Sequence, residues 1–244
     1  MGELGGIEFK GDQIIAEGTQ FNEWYGYKAD GLFQSQEEVE NSALTNESVR
    51  PGDVKYVDIS GPNGEPDGNI SPEYDRVPLG GSLPRYQYGS NIQLEYKNFD
   101  FSLVIQGVGK KNDRLDGLMV EPLLERWGNV PEIIDGNYWS HYNSEEENRN
   151  VKYPRLTQIG KSNNYTMSNF WMIDGSYLRI KNINFGYTLP QNLIERLNIQ
   201  QIRIYANISD LYSFNNYPKG WDPEVSSSGY PITTDITFGA SVKF

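Results

Sequence analysis

YQYGSNIQLEYKNFDFSLVIQGV, residues 86–108, carries the plainest signature of the fold. Within it Tyr86, Tyr88, Ile92, Leu94 and Tyr96 share one face, and Gln87, Asn91, Gln93 and Glu95 the other. That period of two is the mark of a β-strand. The run also has about the length a strand needs to cross a bilayer. Lys97 and Asn98 then make a two-residue turn, with Asn98 suited to a positive φ. Around that turn Tyr96 falls opposite Phe99, Leu94 opposite Phe101 and Ile92 opposite Leu103, so a hairpin gathers both apolar sets on one face.

Further along the chain the pattern recurs. In the last strand, 232–244, Ile232, Ile236, Phe238, Ala240, Val242 and Phe244 alternate with Thr233, Asp235, Thr237, Ser241 and Lys243. Residues 202–209 set Ile202, Ile204, Ala206 and Ile208 against Arg203, Asn207 and Ser209. In 177–187 the phase slips: Leu178 and Ile180 share one face, while Ile183, Phe185 and Tyr187 share the opposite one. A bulge near Lys181 and Asn182 restores it. One more strand is expected within 21–33, and one or two helical turns within TLPQNLIERLNIQ, 188–200.

The connections alternate in length: 34–85 and 111–173 are long, 97–98 is minimal, 190–200 is short and 214–231 is intermediate. Placing the C-terminus in the periplasm puts every long connection outside, as in outer-membrane barrels. The expected fold is therefore all-β: an antiparallel transmembrane β-barrel segment of about six C-terminal strands with long extracellular loops. The minimum for a closed membrane barrel is about eight strands, so this segment is incomplete on its own. The competing architecture is a soluble β-sheet carbohydrate-binding domain, whose second sheet would bury Ile92, Leu94, Phe101 and Leu103.

Composition narrows the function. Thirty-three acidic residues against 21 basic ones give a net charge of −12, which argues against nucleic acid as a partner. With no cysteine and a single histidine, His141, the chain has neither a thiolate site nor the residues for most metal or nucleophilic centres. Glu145, Glu146 and Glu147 read as a solvated acidic run rather than an acid/base pair. No enzyme is expected. The N-terminal MGELGGIEFKGDQ lacks the basic and apolar regions of a secretory signal, as expected of a fragment or of a chain whose signal has been removed.

WYGYKADGLFQSQEEVEN (24–41), RPGDVKYVDISGPNGEPDGNI (50–70), DRVPLGGSLPRYQYGSNIQLEYKNFDFSLVIQGVGKK (75–111), YPRLT (153–157), FWMIDGSYLRIKNINFGYTLP (170–190), IRIYANISDLYSF (202–214) and ITFGASVKF (236–244) follow in order. This set resembles the C-terminal part of the SusC/RagA family of TonB-dependent outer-membrane transporters of Bacteroidota. The resemblance implies that residues 1–244 are the C-terminal part of a receptor barrel whose plug domain and N-terminal strands lie outside the chain. It implies import of oligosaccharides or peptides with a SusD-like surface lipoprotein, energy delivered by the TonB complex through the missing N-terminal part, and outer-membrane lipid around the barrel. Phe244 matches the terminal signal read by the barrel assembly machinery.

Two sets of candidate site residues stand out. In DISGPNGEPDGNISPEYD, 58–75, the donors Asn63, Glu65 and Asp67 alternate, Gly68 and Ile70 follow, and Glu73 or Asp75 supplies a distal carboxylate, which resembles a calcium (Ca2+) loop. The alternative is a polar Gly/Pro-rich surface turn. Trp127, Tyr138, Trp139, Tyr142 and Trp221 in the long connections are candidates for stacking on sugar rings or peptide side chains, against a packing role on the barrel rim.

Overall fold

The computed structural model describes residues 6–117, 120–123, 128–158, 162–197, 199–225 and 229–244. Its strands are β1 (Glu8–Lys10), β2 (Gln13–Ile15), β3 (Glu23–Tyr27), β4 (Ala29–Leu32), β5 (Val54–Tyr56), β6 (Arg76–Gly81), β7 (Tyr86–Tyr96), β8 (Phe99–Gly109), β9 (Asn112–Arg114), β10 (Met172–Asp174), β11 (Tyr177–Thr188), β12 (Gln201–Asn215) and β13 (Asp235–Lys243). Short helices are α1 (Gln36–Glu40), α2 (Glu145–Asn150) and α3 (Gln191–Ile194). None is long and apolar enough to cross a membrane, which says nothing of strands. Two compact units form, one from the segments up to Leu83 and Lys111–Asp174, the other from Pro84–Lys110 and Gly175–Phe244.

The second unit is a five-stranded antiparallel sheet in the order β13-β12-β11-β8-β7. Its hairpin has the expected register, Tyr96 opposite Phe99, Leu94 opposite Phe101 and Ile92 opposite Leu103. The positive φ of the turn falls on Lys97 (55°), not on Asn98. In β11 the register shifts between Ile180 and Asn182, where the slip in alternation predicted it, and β12 answers with Asp210, itself at φ 51°. The bulge carries the apolar face of β12 on through Tyr212 and Phe214, so this strand runs well past the expected 202–209. β13 starts at Asp235 rather than 232, because the Ile232 amide is spent on Asp222 Oδ2 at 3.1 Å.

On one face, register brings Ile92, Leu103, Ile183, Ile208 and Ile236 into an unbroken aliphatic row across all five strands. Toward the hairpin turn lie Tyr96, Phe99 and Tyr187, and toward the other end lie Tyr86, Tyr88, Tyr212 and Phe214. This face stays open: Ile92 is 41% and Leu94 60% exposed, where a soluble sandwich buries them. Among the described residues β7 and β13 are the edges of the sheet, and it does not close on itself.

The first unit corrects two expectations. The strand foreseen in 21–33 is two short strands, β3 and β4, in separate small sheets, so the large sheet has five strands and not six. Gly26 brings the backbone against the Met167 carbonyl, 2.3 Å from where a Cβ would sit, and Gly31 at φ 83° turns the chain. The long connections 34–85 and 111–173 are themselves folded. Val54, Tyr56 and Ile70 from the first and Trp139 from the second pack with Tyr27 and Leu32 in one core. Beside it Asp53, fully buried, accepts from Arg155 Nε (2.7 Å), Arg155 Nη2 (3.1 Å), Asn164 Nδ2 (2.8 Å) and the Arg50 amide (2.8 Å). Asn164 Oδ1 accepts from the Val54 amide (2.8 Å), and Trp171 Nε1 donates to the Asn164 carbonyl (2.7 Å). Every group in that chain of bonds is paired, which is what makes a buried polar network stabilising. The Tyr56 hydroxyl within it donates to the Asn163 carbonyl, and burial raises its pKa above the ordinary phenol value.

Candidate functional site on the polar sheet face

The face opposite the aliphatic row carries the chemistry of the second unit. Near the hairpin turn, Arg203 on β12 reaches diagonally across β11 to Asp100 on β8. Its Nε donates to Asp100 Oδ1 at 2.9 Å, and its Nη2 donates to Asp100 Oδ2 and, at 2.8 Å, to Asn184 Oδ1. Two parallel bonds of this kind fix a guanidinium in its plane. The crossing depends on Gly186, which pairs with Asp100: a Cβ there would stand 2.3 Å from Arg203 Nη2 and 2.4 Å from Asp100 Oδ1. The guanidinium also lies 5.1 Å from the ring centre of Tyr205, whose own ring lies over Gly239. A depression of about 620 Å³ is lined here by Gln93, Glu95, Asp100, Ser102, Asn184 and Arg203.

Toward the far end of the same strands, Arg179 is 3% exposed and faces Asp222 (2.5 Å), Glu224 (3.4 Å) and Asp210 (3.6 Å). Lys181, at the bulge, meets Asp210 at 2.7 Å and Glu224 at 3.3 Å. Gln106 on β8 donates to Glu224 at 2.9 Å. Asp222 also accepts from the amides of Glu224 (2.9 Å) and Ile232 (3.1 Å). Burial pushes its carboxyl upward, but Arg179 and these amides outweigh that and hold it below the usual carboxylate range. The alternation placed Arg203 and Lys243 on the polar face, but neither ion-pair cluster was foreseen. Their partners, Asp100 and Asp222, lie 103 and 43 residues from Arg203 and Arg179.

The residues singled out from the sequence are scattered. Trp139 is 4% exposed, with its ring packed on Gly52 and its edge against His141 at 4.7 Å, so it belongs to the core and has no face for a sugar. Tyr142 is 99% exposed, and Tyr138 and Trp221 are half-buried. Trp127 lies outside the described residues. In the 58–75 loop, Asn63, Glu65, Asp67 and Glu73 are exposed, whereas Asp75 is fully buried. Its carboxylate accepts from the amides of Ile59 (2.7 Å), Ser60 (3.1 Å) and Ser71 (2.7 Å), so it staples the turn rather than pointing outward. Among the described residues no group of three or more His, Asp or Glu side chains converges to hold a metal. Phe244 follows β13 and is exposed.

No protein-family model matches the chain. TonB-dependent receptor P3 of Formosa agariphila is 30% identical over 249 residues, covering 95% of this chain and 23% of that protein. TonB-dependent receptor P39 of the same organism is 23% identical over 96% of the chain and 26% of its own length. TonB-dependent receptor SusC of Bacteroides thetaiotaomicron is 27% identical over 90% of the chain and 20% of its own length. Among solved structures, the RagAB peptide transporter matches 96% of this chain and 24% of that one with a TM-score of 0.70 at 19% identity. The RagAB peptide importer in the open-open state matches 96% with a TM-score of 0.68 at 18% identity. These relatives are receptors and importers rather than enzymes, in line with a sequence that offers no catalytic set. The chain is thus an all-β chain with an open, two-faced sheet, similar along nearly its whole length to about a quarter of the TonB-dependent receptors P3, P39 and SusC, and it shares the fold of the matching part of RagAB.

Proposed function

We propose that residues 1–244 form the C-terminal part of an outer-membrane transporter barrel that imports oligosaccharides or peptides together with a SusD-like lipoprotein. The observation that carries this is the aliphatic row from Ile92 to Ile236, exposed at both ends and half-buried between, bounded by tyrosine and phenylalanine at both ends. Tyr88 and Tyr96 are eight residues apart, about 26 Å along a strand. With a strand tilt of about 40° this is about 20 Å of depth, most of the ~25 Å apolar band that lies between the two aromatic girdles of outer-membrane barrels. The polar face then lines the lumen, with Asp100 and Arg203 on the transport path, and the free edges of β7 and β13 pair with the remaining strands of the receptor. The RagAB structures are of a peptide importer, which favours peptides as cargo.

The first unit is the extracellular part that meets the lipoprotein. Because 34–85 and 111–173 fold around one core, deleting either would unfold both; point changes at exposed positions are the proper probe. In the receptor that carries this chain, Tyr142→Asp and Glu146→Lys should weaken co-purification of the SusD-like partner while leaving receptor levels in the outer membrane unchanged. Full partner recovery with both changes present would count against this assignment.

A further inference from the structure

The chain between β12 and β13 takes a route that strand pairing does not require. The two strands are neighbours, so their connection has no need to leave that edge of the sheet. Instead it turns back over the polar face: Asp222 meets Arg179 on β11, and Glu224 reaches Gln106 on β8, two strands inward from β12. It comes back at Ile232, whose amide is bonded to Asp222, and at Thr234, whose hydroxyl donates to the Asp210 carbonyl at 2.8 Å. Local turns shape the crossing, with the Trp221 amide on the Pro218 carbonyl (3.0 Å) and the Val225 amide on that of Asp222 (3.1 Å).

The crossing is anchored by charge. Arg179, almost wholly buried, sits among Asp222, Glu224 and Asp210, and Lys181 is shared by the last two. Taking charged groups out of water is unfavourable unless they pair densely, and removing one member leaves the others uncompensated. The bulge at Lys181 and the left-handed Asp210 set both cluster members on their strands, a known use of bulges to re-aim side chains. A direct β12–β13 connection would have needed none of this.

The geometry points to Pro218–Val225 as a strap held across the polar face by Arg179, whose release widens the passage along that face. This rests on the reading above that the polar face lines the transport path. The test uses the intact receptor containing this chain, with Arg179→Gln, Asp222→Asn and Arg179→Lys. Amide hydrogen exchange across 218–225 should speed at least tenfold in Arg179→Gln and Asp222→Asn and less in Arg179→Lys, with β11 and β12 unchanged. Unchanged exchange in 218–225 overturns the strap. So does loss of protection throughout β11 and β12, since the cluster would then be holding the bulged strands instead. In planar bilayers the first two variants should at least double the conductance; a freed strap with wild-type conductance overturns the widening. A receptor that does not insert into bilayers at all refutes the transporter reading, and the exchange result still decides the strap.

Discussion

Replacing Ile92 by arginine puts a guanidinium at the centre of the aliphatic row, opposite Leu103 and four residues from Tyr88 and from Tyr96. Four residues of strand span about 13 Å, so with a tilt of about 40° Ile92 sits about 10 Å in depth from either girdle. Ile92 is 41% exposed. In water an arginine at such a position costs no more than about 0.5 kcal/mol, the usual range for surface changes. At the bilayer midplane it costs about 2–4 kcal/mol, or roughly 30- to 800-fold in the folding equilibrium. Gln93→Arg, one residue on and facing the polar side, is the control, and Tyr96→Arg at the girdle should cost about 0–1 kcal/mol. Reversible folding of the receptor into phosphatidylcholine vesicles, followed by denaturant titration, reads all three. If Ile92→Arg costs no more than Gln93→Arg, the face does not meet lipid and the barrel reading fails.

Other substitutions test the networks. Asp53→Ala strands Asn164 Nδ2, the Arg50 amide and the partly exposed Arg155, and should lower the stability of the first unit by about 3 kcal/mol; hydrogen exchange should quicken near Val54 and Asn164 and not in β7–β8. Gly186→Val drives a side chain into the Arg203–Asp100 pair, and should lower the denaturant midpoint more than Gly239→Ala, where the conflict is with the Tyr205 ring. Asp75→Ala should free the amides of Ile59, Ser60 and Ser71 to exchange equally with calcium and with chelator; protection that depends on calcium would support the metal-loop reading. Asp222 faces Arg179, with Lys181, Asp210 and Glu224 in the same cluster, and its folded pKa is lowered. Its contribution is therefore full above the ordinary carboxyl pKa, about 4, and is lost as pH falls through the lowered one; the protection of 218–225, taken relative to the intrinsic exchange rate at each pH, should be flat from pH 5 to 8 and fall below 4.

How much of this was legible in the sequence depended on how locally each feature is encoded. A strand with one apolar and one polar face must alternate residue by residue, so Ile92, Leu94 and Tyr96 announce their face without reference to the rest of the chain. A slip in that alternation has to be a bulge, which is why Lys181 could be placed. The first unit obeys no such period. Asp53 meets Arg155 and Asn164 across 102 and 111 residues, and nothing in their spacing marks the contact. Trp139 among loop residues looked available for a ligand, and only its partner Gly52, far away in sequence, makes it core. One local signal did lie in view. Ser35-x-x-Glu38 and Ser144-x-x-Glu147 cap α1 and α2, and the acidic run at 145–147 is the first turn of a helix whose cap Glu147 completes.

The placement of ionic pairs follows from the same geometry. An open sheet with no second sheet packed on either face has no dry interior of its own, so its strands are tied by the hydrogen-bonded ladder and by whatever spans strands on the polar side. Asp100 and Arg203 bridge three strands over a glycine, and Arg179 with its carboxylates bridges three more positions at the other end. On the apolar face Tyr86 lies over Gly109 and Tyr88 over Gly107, and on the polar face Tyr205 lies over Gly239 in the same way. Rings over glycines thus serve both faces, whereas the ion pairs described in this sheet all lie on the polar one. A charge exchanged between faces should then be far more damaging than one exchanged along a face: Phe101→Asp combined with Asp100→Phe should abolish folding, whereas Asp100→Glu, still within reach of Arg203, should keep most of the stability. Equal tolerance of the two, read by the same vesicle folding assay, would show that the faces are not in different media.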